Sequence, residues 1–288
     1  MASKRIGITL GDPAGIGPEI IRAALDSGKL PDADYKVIGD SRQYSLGKPS
    51  PESALAAASA LEEAAALGLR GKIDAVVTGP IHKARMYEIG FEFRGQTEFF
   101  AARCQVENYA MLLTGGNLTV ALVTTHLPLR EVAGRLGISE IVRVGLLLAE
   151  FLQRHGHVRI AVAGLNPHAG ESGTLGAEEV EIIAPAVEEL QRRCPNGAKV
   201  GGPFSPDTIF HRAVEGEWDA VLCMYHDQGL IPLKLHAFHA AANVTLGLPF
   251  PRTSPDHGTA FEIAGKEIAR PDSMIAAIKL ACDLALSR

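Results

Sequence analysis

Three histidines carry the sharpest chemical signal in this sequence. His126 stands in Thr125-His126-Leu127-Pro128, His168 in Asn166-Pro167-His168-Ala169-Gly170-Glu171, and His226 in Tyr225-His226-Asp227-Gln228-Gly229. Each falls just after a strand-like apolar run, so a sheet can bring all three to one edge. Imidazole binds divalent transition metals well, and three such ligands leave coordination positions open for a substrate. The same residues also fit polar loops or hydrogen-bonded core histidines, because spacings this wide are not a metal signature by themselves. His155, His157, His236 and His239 lack the post-strand setting and read as structural or solvated.

Lys234, Asn243 and Arg252 are candidate anion-binding groups. Arginine grips phosphate with two parallel donors and lysine acts as a point charge, although the same residues also fit ordinary surface cations. Asp207 follows a proline and fits two roles: the cap of a helix beginning at Thr208, or a carboxylate for a substrate amine or a metal network. The stretch 254–266 is rich in Gly, Pro and small residues, which lets backbone pass close to a flat ligand or simply turn into a short helix. The loop 11–19, Gly-Asp-Pro-Ala-Gly-Ile-Gly-Pro-Glu, looks like a nucleotide fingerprint but lacks its third glycine, and no Walker Gly-Lys-Ser/Thr is present. It reads equally as a tight strand-to-helix turn with Pro18 at the helix start.

The elements that must position these groups alternate along the chain. Strand-like runs lie at 5–10, 35–38, 75–78, 109–113, 119–124, 159–164, 219–224 and 241–246. Helical patterns begin near Pro18 and lie at 52–67, 139–154, 177–193 and 273–286. That alternation predicts an α/β fold with a mostly parallel sheet. The polar motifs follow the strands, and in open α/β sheets the carboxyl ends of strands line the ligand crevice. No repeat, low-complexity tract or flexible linker separates domains.

With 288 residues, 47% of them hydrophobic, the chain can bury a large core in one domain or two lobes. A formal net charge of -5 and no basic block argue against nucleic-acid binding, while leaving room for a local basic pocket. Cys104, Cys194, Cys223 and Cys282 form no CxxC and read as reduced structural thiols of a cytoplasmic protein. The first residues lack a signal-peptide pattern. No apolar run reaches membrane-spanning length, and the Ala-rich stretch 53–67 is broken by Glu62 and Glu63.

Taken together, the segments 11–19, 78–83, 95–98, 124–128, 166–171, 206–208, 225–234 and 243–266 resemble, in order, the 4-phosphohydroxy-L-threonine dehydrogenase family. The stretch 257–266 is also similar to the cofactor loop of isopropylmalate and isocitrate dehydrogenases. The resemblance implies their two-lobed α/β/α fold with a cleft between lobes, approximately 1–92 plus 264–288 and 93–263, the latter with most substrate and metal residues. It implies NAD (or NADP), bound by His257, Gly258, Thr259 and Glu262. It implies a divalent metal (Zn, Co, Mn or Mg) on His126, His168 and His226, the third coming from the partner subunit of a homodimer, here expected to be His226. Gln96, Thr97, Asp207, Lys234, Asn243 and Arg252 match substrate-binding positions for a phosphorylated hydroxy acid. The implied reaction is oxidation and decarboxylation of 4-phosphooxy-L-threonine. Relatives act on threonate or erythronate phosphates or cyclic diols. Two departures stand out. Gln96 replaces a usual histidine, so a titratable charge is absent there and Gln96→His is expected to help phosphate binding at lower pH. The chain is also shorter than usual, with the shortfall between Asp40 and Glu52.

Overall fold

The computed structural model describes residues 3–41, 44–154 and 156–285. His155, and Leu286 at the expected end of the last helix, lie outside them. The elements in chain order are β1 (Arg5–Thr9), α1 (Gly17–Leu25), β2 (Asp34–Ile38), α2 (Pro51–Leu69), β3 (Ala75–Thr78), α3 (Lys83–Glu88), α4 (Gln96–Arg103), β4 (Ala110–Gly115) and β5 (Leu118–Leu122). They continue with α5 (Leu129–Val132), α6 (Ile138–Gln153), β6 (Arg159–Ala163), α7 (Ala184–Arg193), β7 (Lys199–Phe204), α8 (Ile209–Val214), β8 (Ala220–Cys223), α9 (His226–Ala237), β9 (Ala242–Leu246), β10 (Arg252–Pro255) and α10 (Asp272–Ala285). The expected strands and helices are all present within a few residues. β7, β10, α3, α4, α5 and α9 are additional.

Two compact units divide the chain, one formed up to Glu107 and from His239 onward, the other by Asn108–Phe238. In the first, the strands run β2-β1-β3-β10-β9, parallel except for the last pair. Successive side chains of a strand point to opposite faces, and both faces are apolar here. Ile6, Ile8, Ala75 and Val77 join Ile20, Ile21, Met274 and Ile278 of α1 and α10. Val76 joins Leu61 and Ala64 of α2, Phe99 and Phe100 of α4, and Phe250. Each such Ile, Val or Phe contributes about 1.5–3 kcal/mol on full burial. α2 is started by a reciprocal cap, with Ser50 and Ser53 exchanging backbone-to-hydroxyl bonds of 3.1 and 3.2 Å.

This packing sets boundaries other than the expected 92/93 and 263/264. Phe99 and Phe100 anchor α4 in the first core, and β9 and β10 extend the first sheet from β3. Gln96, Thr97, Asn243 and Arg252 therefore belong to the first unit, whereas the sequence reading put them in the second.

In the second unit the strands run β4-β5-β8-β6-β7, antiparallel between β4 and β5 and parallel thereafter. At the amino edge of each sheet an arginine grips an aspartate. Arg5 donates to Asp74 at 2.7 Å in the first unit and Arg159 to Asp219 at 2.5 Å in the second. Each carboxylate also accepts its arginine's backbone N–H at 2.8 Å, fixing strand register. Being partly solvated, such pairs contribute little more than about 1 kcal/mol each.

The four cysteines are unbridged. Burial pushes the Cys104 thiol up to about 11 and raises Cys194, Cys223 and Cys282 as well. The thiolate is the reactive form, so at pH 8 the folded protein is expected to react with a thiol-specific reagent far more slowly than the urea-unfolded chain. Cys223, fully enclosed in β8, should be slowest. Stoichiometric labelling of Cys223 within the dead time of mixing would contradict this. No helix among the described residues is long and apolar enough to cross a membrane.

Candidate active site

In the first unit the loops after β1, β3 and β10 meet at the carboxyl edge of the sheet. Asp12 N donates to Pro80 O at 2.9 Å and Ile16 N to Thr259 O at 2.9 Å. The His82 and Phe261 rings meet edge to face at 5.4 Å. The loop 11–19 is thus a turn into α1, with Pro18 in the first helical turn and no side-chain cap. It also backs the loop that carries His257, Gly258, Thr259 and Glu262.

Arg252 lies beside these loops with only 3% of its surface exposed. Its guanidinium donates to Thr78 Oγ1 at 2.5 Å, Gln96 Oε1 at 2.6 Å and Thr245 Oγ1 at 3.3 Å. Burial pulls its pKa down to about 10, against the opposing pull of Glu98. Three neutral acceptors orient this cation without neutralising it. Gln96 is held at both ends of its amide, since Nε2 donates to Gly79 O at 2.9 Å. The Thr97 hydroxyl is 3.3 Å from that of Thr245.

Several buried polar atoms in this unit have no partner: Asp12 Oδ2, Glu19 Oε1, His82 Nδ1, Glu98 Oε2, Asn243 Oδ1, Arg252 Nε and His257 Nε2. Leaving such an atom unpaired costs about 1–3 kcal/mol, so folded proteins keep few of them and those kept ask for an explanation. Their concentration around the expected substrate and cofactor residues is what a ligand-binding surface requires. His257 Nε2 is such an atom on the expected cofactor loop, which fits a polar edge of a nucleotide. Asp12, Glu19, His82 and Glu98 were not singled out from sequence, although all four lie in the motifs at 11–19, 78–83 and 95–98.

In the second unit, β5, β8 and β6 are adjacent and parallel. Their carboxyl ends lead into His126, His226 and His168 respectively, so all three histidines lie at one sheet edge. Two rings come together: His126 and His226 have centroids 5.7 Å apart. Metal–nitrogen bonds of about 2.0–2.1 Å fit two imidazoles at this kind of separation around one ion. His226 Nδ1 lies 2.7 Å from Asp227 Oδ1. With its proton on Nδ1, the ring presents Nε2 as a lone pair, as a carboxylate behind a metal-bound histidine arranges. Among the described residues no group of three His, Cys, Asp or Glu side chains is drawn together so as to hold a metal. The pair formed within one chain is His126–His226, whereas the sequence reading expected His226 to enter from a partner.

Buried Gln228 ties two of the loops together. It donates to Gly164 O at 2.7 Å and accepts from Met224 N at 2.6 Å. His168 begins a left-handed run: His168, Ala169, Gly170, Glu171 and Ser172 have φ of 52°, 51°, 77°, 43° and 57°. For non-glycine residues this costs about 1–2 kcal/mol each, so other contacts must hold the loop. Asp207 caps nothing. Helix α8 starts after Thr208 without a side-chain cap, and the Asp207 carboxylate instead accepts from Ser205 Oγ at 2.6 Å. Lys234 lies on α9, half-buried.

Residues 18–281 match the family model described as pyridoxal phosphate biosynthetic protein PdxA. The chain belongs to the PdxA family. It is 40% identical to the 4-hydroxythreonine-4-phosphate dehydrogenase of Caulobacter vibrioides, covering 100% of this chain and 99% of that one. A D-threonate 4-phosphate dehydrogenase of Pectobacterium atrosepticum is 38% identical, with 98% and 100% covered. Among solved structures, 4-hydroxythreonine-4-phosphate dehydrogenase from Klebsiella pneumoniae superposes with a TM-score of 0.83 at 38% identity, covering 98% of this chain and 100% of that one. A β-decarboxylating dehydrogenase from Thermococcus kodakarensis shares the fold alone, with a TM-score of 0.56 at 18% identity over 96% of this chain and 81% of that one.

Proposed function

We propose that this PdxA-family chain is a cytoplasmic, NAD- and divalent-metal-dependent 4-hydroxythreonine-4-phosphate dehydrogenase of pyridoxal phosphate (vitamin B6) biosynthesis. It oxidises the secondary alcohol of 4-phosphooxy-L-threonine, and the resulting β-keto acid loses CO2 to give 3-amino-2-oxopropyl phosphate. The observation that carries this reading is the His126–His226 pair with Asp227 behind it. It supplies two imidazole ligands of the kind a divalent metal takes.

Arg252 offers a buried, oriented cation to the phosphate, and Thr97, Gln96 and Asn243 surround it with polar groups, Gln96 acting through Arg252. Binding energy from the non-reacting phosphate then orients the reacting carbon. The His257–Glu262 loop holds the cofactor, with His257 Nε2 as one polar contact. His126, His226 and His168 serve as metal ligands, and Lys234 and Asp207 as charged partners of the substrate. A divalent metal held by these histidines would supply Lewis acidity at the alcohol oxygen, and NAD on the 257–262 loop would supply the hydride acceptor.

The test is NADH formation with 4-phosphooxy-L-threonine, D-threonate 4-phosphate, D-erythronate 4-phosphate and a cyclic cis-diol, before and after chelation. Turnover of the first substrate, lost on chelation and restored by Zn2+, Co2+ or Mn2+, is expected. A metal-loaded enzyme that reduces NAD only with one of the others would overturn the substrate.

Helix α9 supports the homodimer. It begins at His226 and exposes Ile231 (65%) and Leu235 (89%) along its length and Phe238 (66%) just beyond its end, spaced as one helical face. That apolar stripe fits a second copy of this chain. Leu235→Glu should convert a dimer into a 30.5 kDa monomer by light scattering, with loss of activity. An active Leu235→Glu dimer would place the interface elsewhere.

A further inference from the structure

Glu179 is 2% exposed, and its carboxylate accepts hydrogen bonds from backbone and amide N–H groups. A buried carboxylate is tolerated when hydrogen bonds replace its lost hydration. Here those bonds go to one place. Oε1 accepts the backbone N–H groups of Leu165 and Asn166, both at 2.7 Å, and Oε2 accepts Asn166 Nδ2 at 2.9 Å. The same amide donates to Glu178 Oε2 at 2.9 Å. These donors immediately precede the left-handed run that carries His168. The run is fitted around the carboxylate: a Cβ on Gly170 would come within 2.6 Å of Glu179 Oε2, and one on Gly176 within 2.3 Å of Asn166 Nδ2. Glu179 also opens a single π-helical turn, Glu179–Ile183, at the head of α7. Such turns re-aim side chains and recur at functional sites.

We propose that Glu179, with Asn166, is a positioning residue that holds the 165–172 loop and thereby presents His168 to the metal. The proposal rests on the metal reading of His168. The carboxylate fixes the loop through hydrogen bonds inside one chain, so the loop is ordered before metal arrives. A Gln at 179 keeps the size but replaces one acceptor by a donor that faces a donor.

The experiment measures Zn2+ and Co2+ affinity by chelator competition, and amide exchange of the chelated protein, for wild type, Glu179→Gln, Asn166→Ala, His168→Ala and Glu179→Gln/His168→Ala. Outer partners of metal ligands typically matter 10–100-fold for affinity. Glu179→Gln is expected to weaken metal binding about 10–100-fold and to speed exchange at Leu165 and Asn166 in metal-free protein. The double variant should bind no more weakly than His168→Ala, since both changes act through one ligand. Additive losses, or wild-type affinity in folded Glu179→Gln, would overturn the positioning role. His168→Ala binding metal as tightly as wild type would overturn the metal reading itself, and with it the proposal. Should Glu179→Gln fail to fold, Asn166→Ala carries the same comparison: weaker binding with faster loop exchange supports the clamp, and unchanged binding and exchange overturn it.

Discussion

Arg252→Ala is expected to lower kcat/KM for the phosphorylated substrate more than any other change in the first unit. Truncating a buried, hydrogen-bonded charge that meets an opposite charge costs about 2–5 kcal/mol, roughly 30- to several-thousand-fold. The variant also strands Thr78, Gln96 and Thr245, which now accept from the guanidinium. Arg252→Lys keeps the charge, but a single ammonium cannot reproduce the planar fork that spans these acceptors. Its loss should still exceed tenfold. The measurement is kcat/KM on protein shown to be folded by circular dichroism. A folded Arg252→Ala enzyme within threefold of wild type would remove Arg252 from phosphate binding.

The same geometry reverses the expectation for Gln96. From sequence, a histidine there adds positive charge for phosphate as pH falls. In the structure Gln96 must accept from Arg252 and donate to Gly79 O at once. Neutral histidine has one acceptor and one donor and can do both, but imidazolium has two donors and no acceptor. The nearby Arg252 cation also lowers a histidine's pKa. Gln96→His should therefore stay near wild type at pH 8 and fall below it under acid conditions, around pH 6 and lower. A gain in kcat/KM on acidification relative to wild type would restore the simpler view.

What the sequence made legible follows from local pattern. Apolar runs such as Ile6–Ile8 and Val120–Leu122 declare strands, and the polar motifs behind them declare the sheet edge. β7 was hidden because Gly201, Gly202 and Pro203 interrupt its apolar signal, and β10 because Pro251 precedes it and Pro255 ends it. α9 was hidden by Gly229 and Pro232 inside a helix with little amphipathic contrast. The two compact units differ from the expected lobes for a long-range reason, since α4 packs into a core built from strands and helices far away in sequence. Candidate residues could be named from type and motif, but partnership could not. Nothing in the local sequence says that Glu179 reaches back to Leu165 and Asn166, or that both ends of the Gln96 amide are taken.

The histidines allow a test of which ligand crosses between subunits in the proposed dimer. His126 and His226 approach within one chain. If His168 comes from the partner subunit, a heterodimer of His168→Ala and His226→Ala chains contains one complete set. The His168→Ala chain gives the intact pair, and the His226→Ala chain gives His168. Free exchange makes half the dimers mixed, each with one good site of two, so roughly one quarter of wild-type activity should return. A heterodimer of His126→Ala and His226→Ala chains breaks both pairs and should stay inactive. This outcome is opposite to that expected if His226 were the ligand donated across the interface. Subunit exchange is followed independently by native mass spectrometry with one chain isotopically labelled. Recovery in the His126→Ala and His226→Ala mixture would show that the 5.7 Å pair is not the unit that holds the metal, since a His226 donated across the interface restores activity in both mixtures.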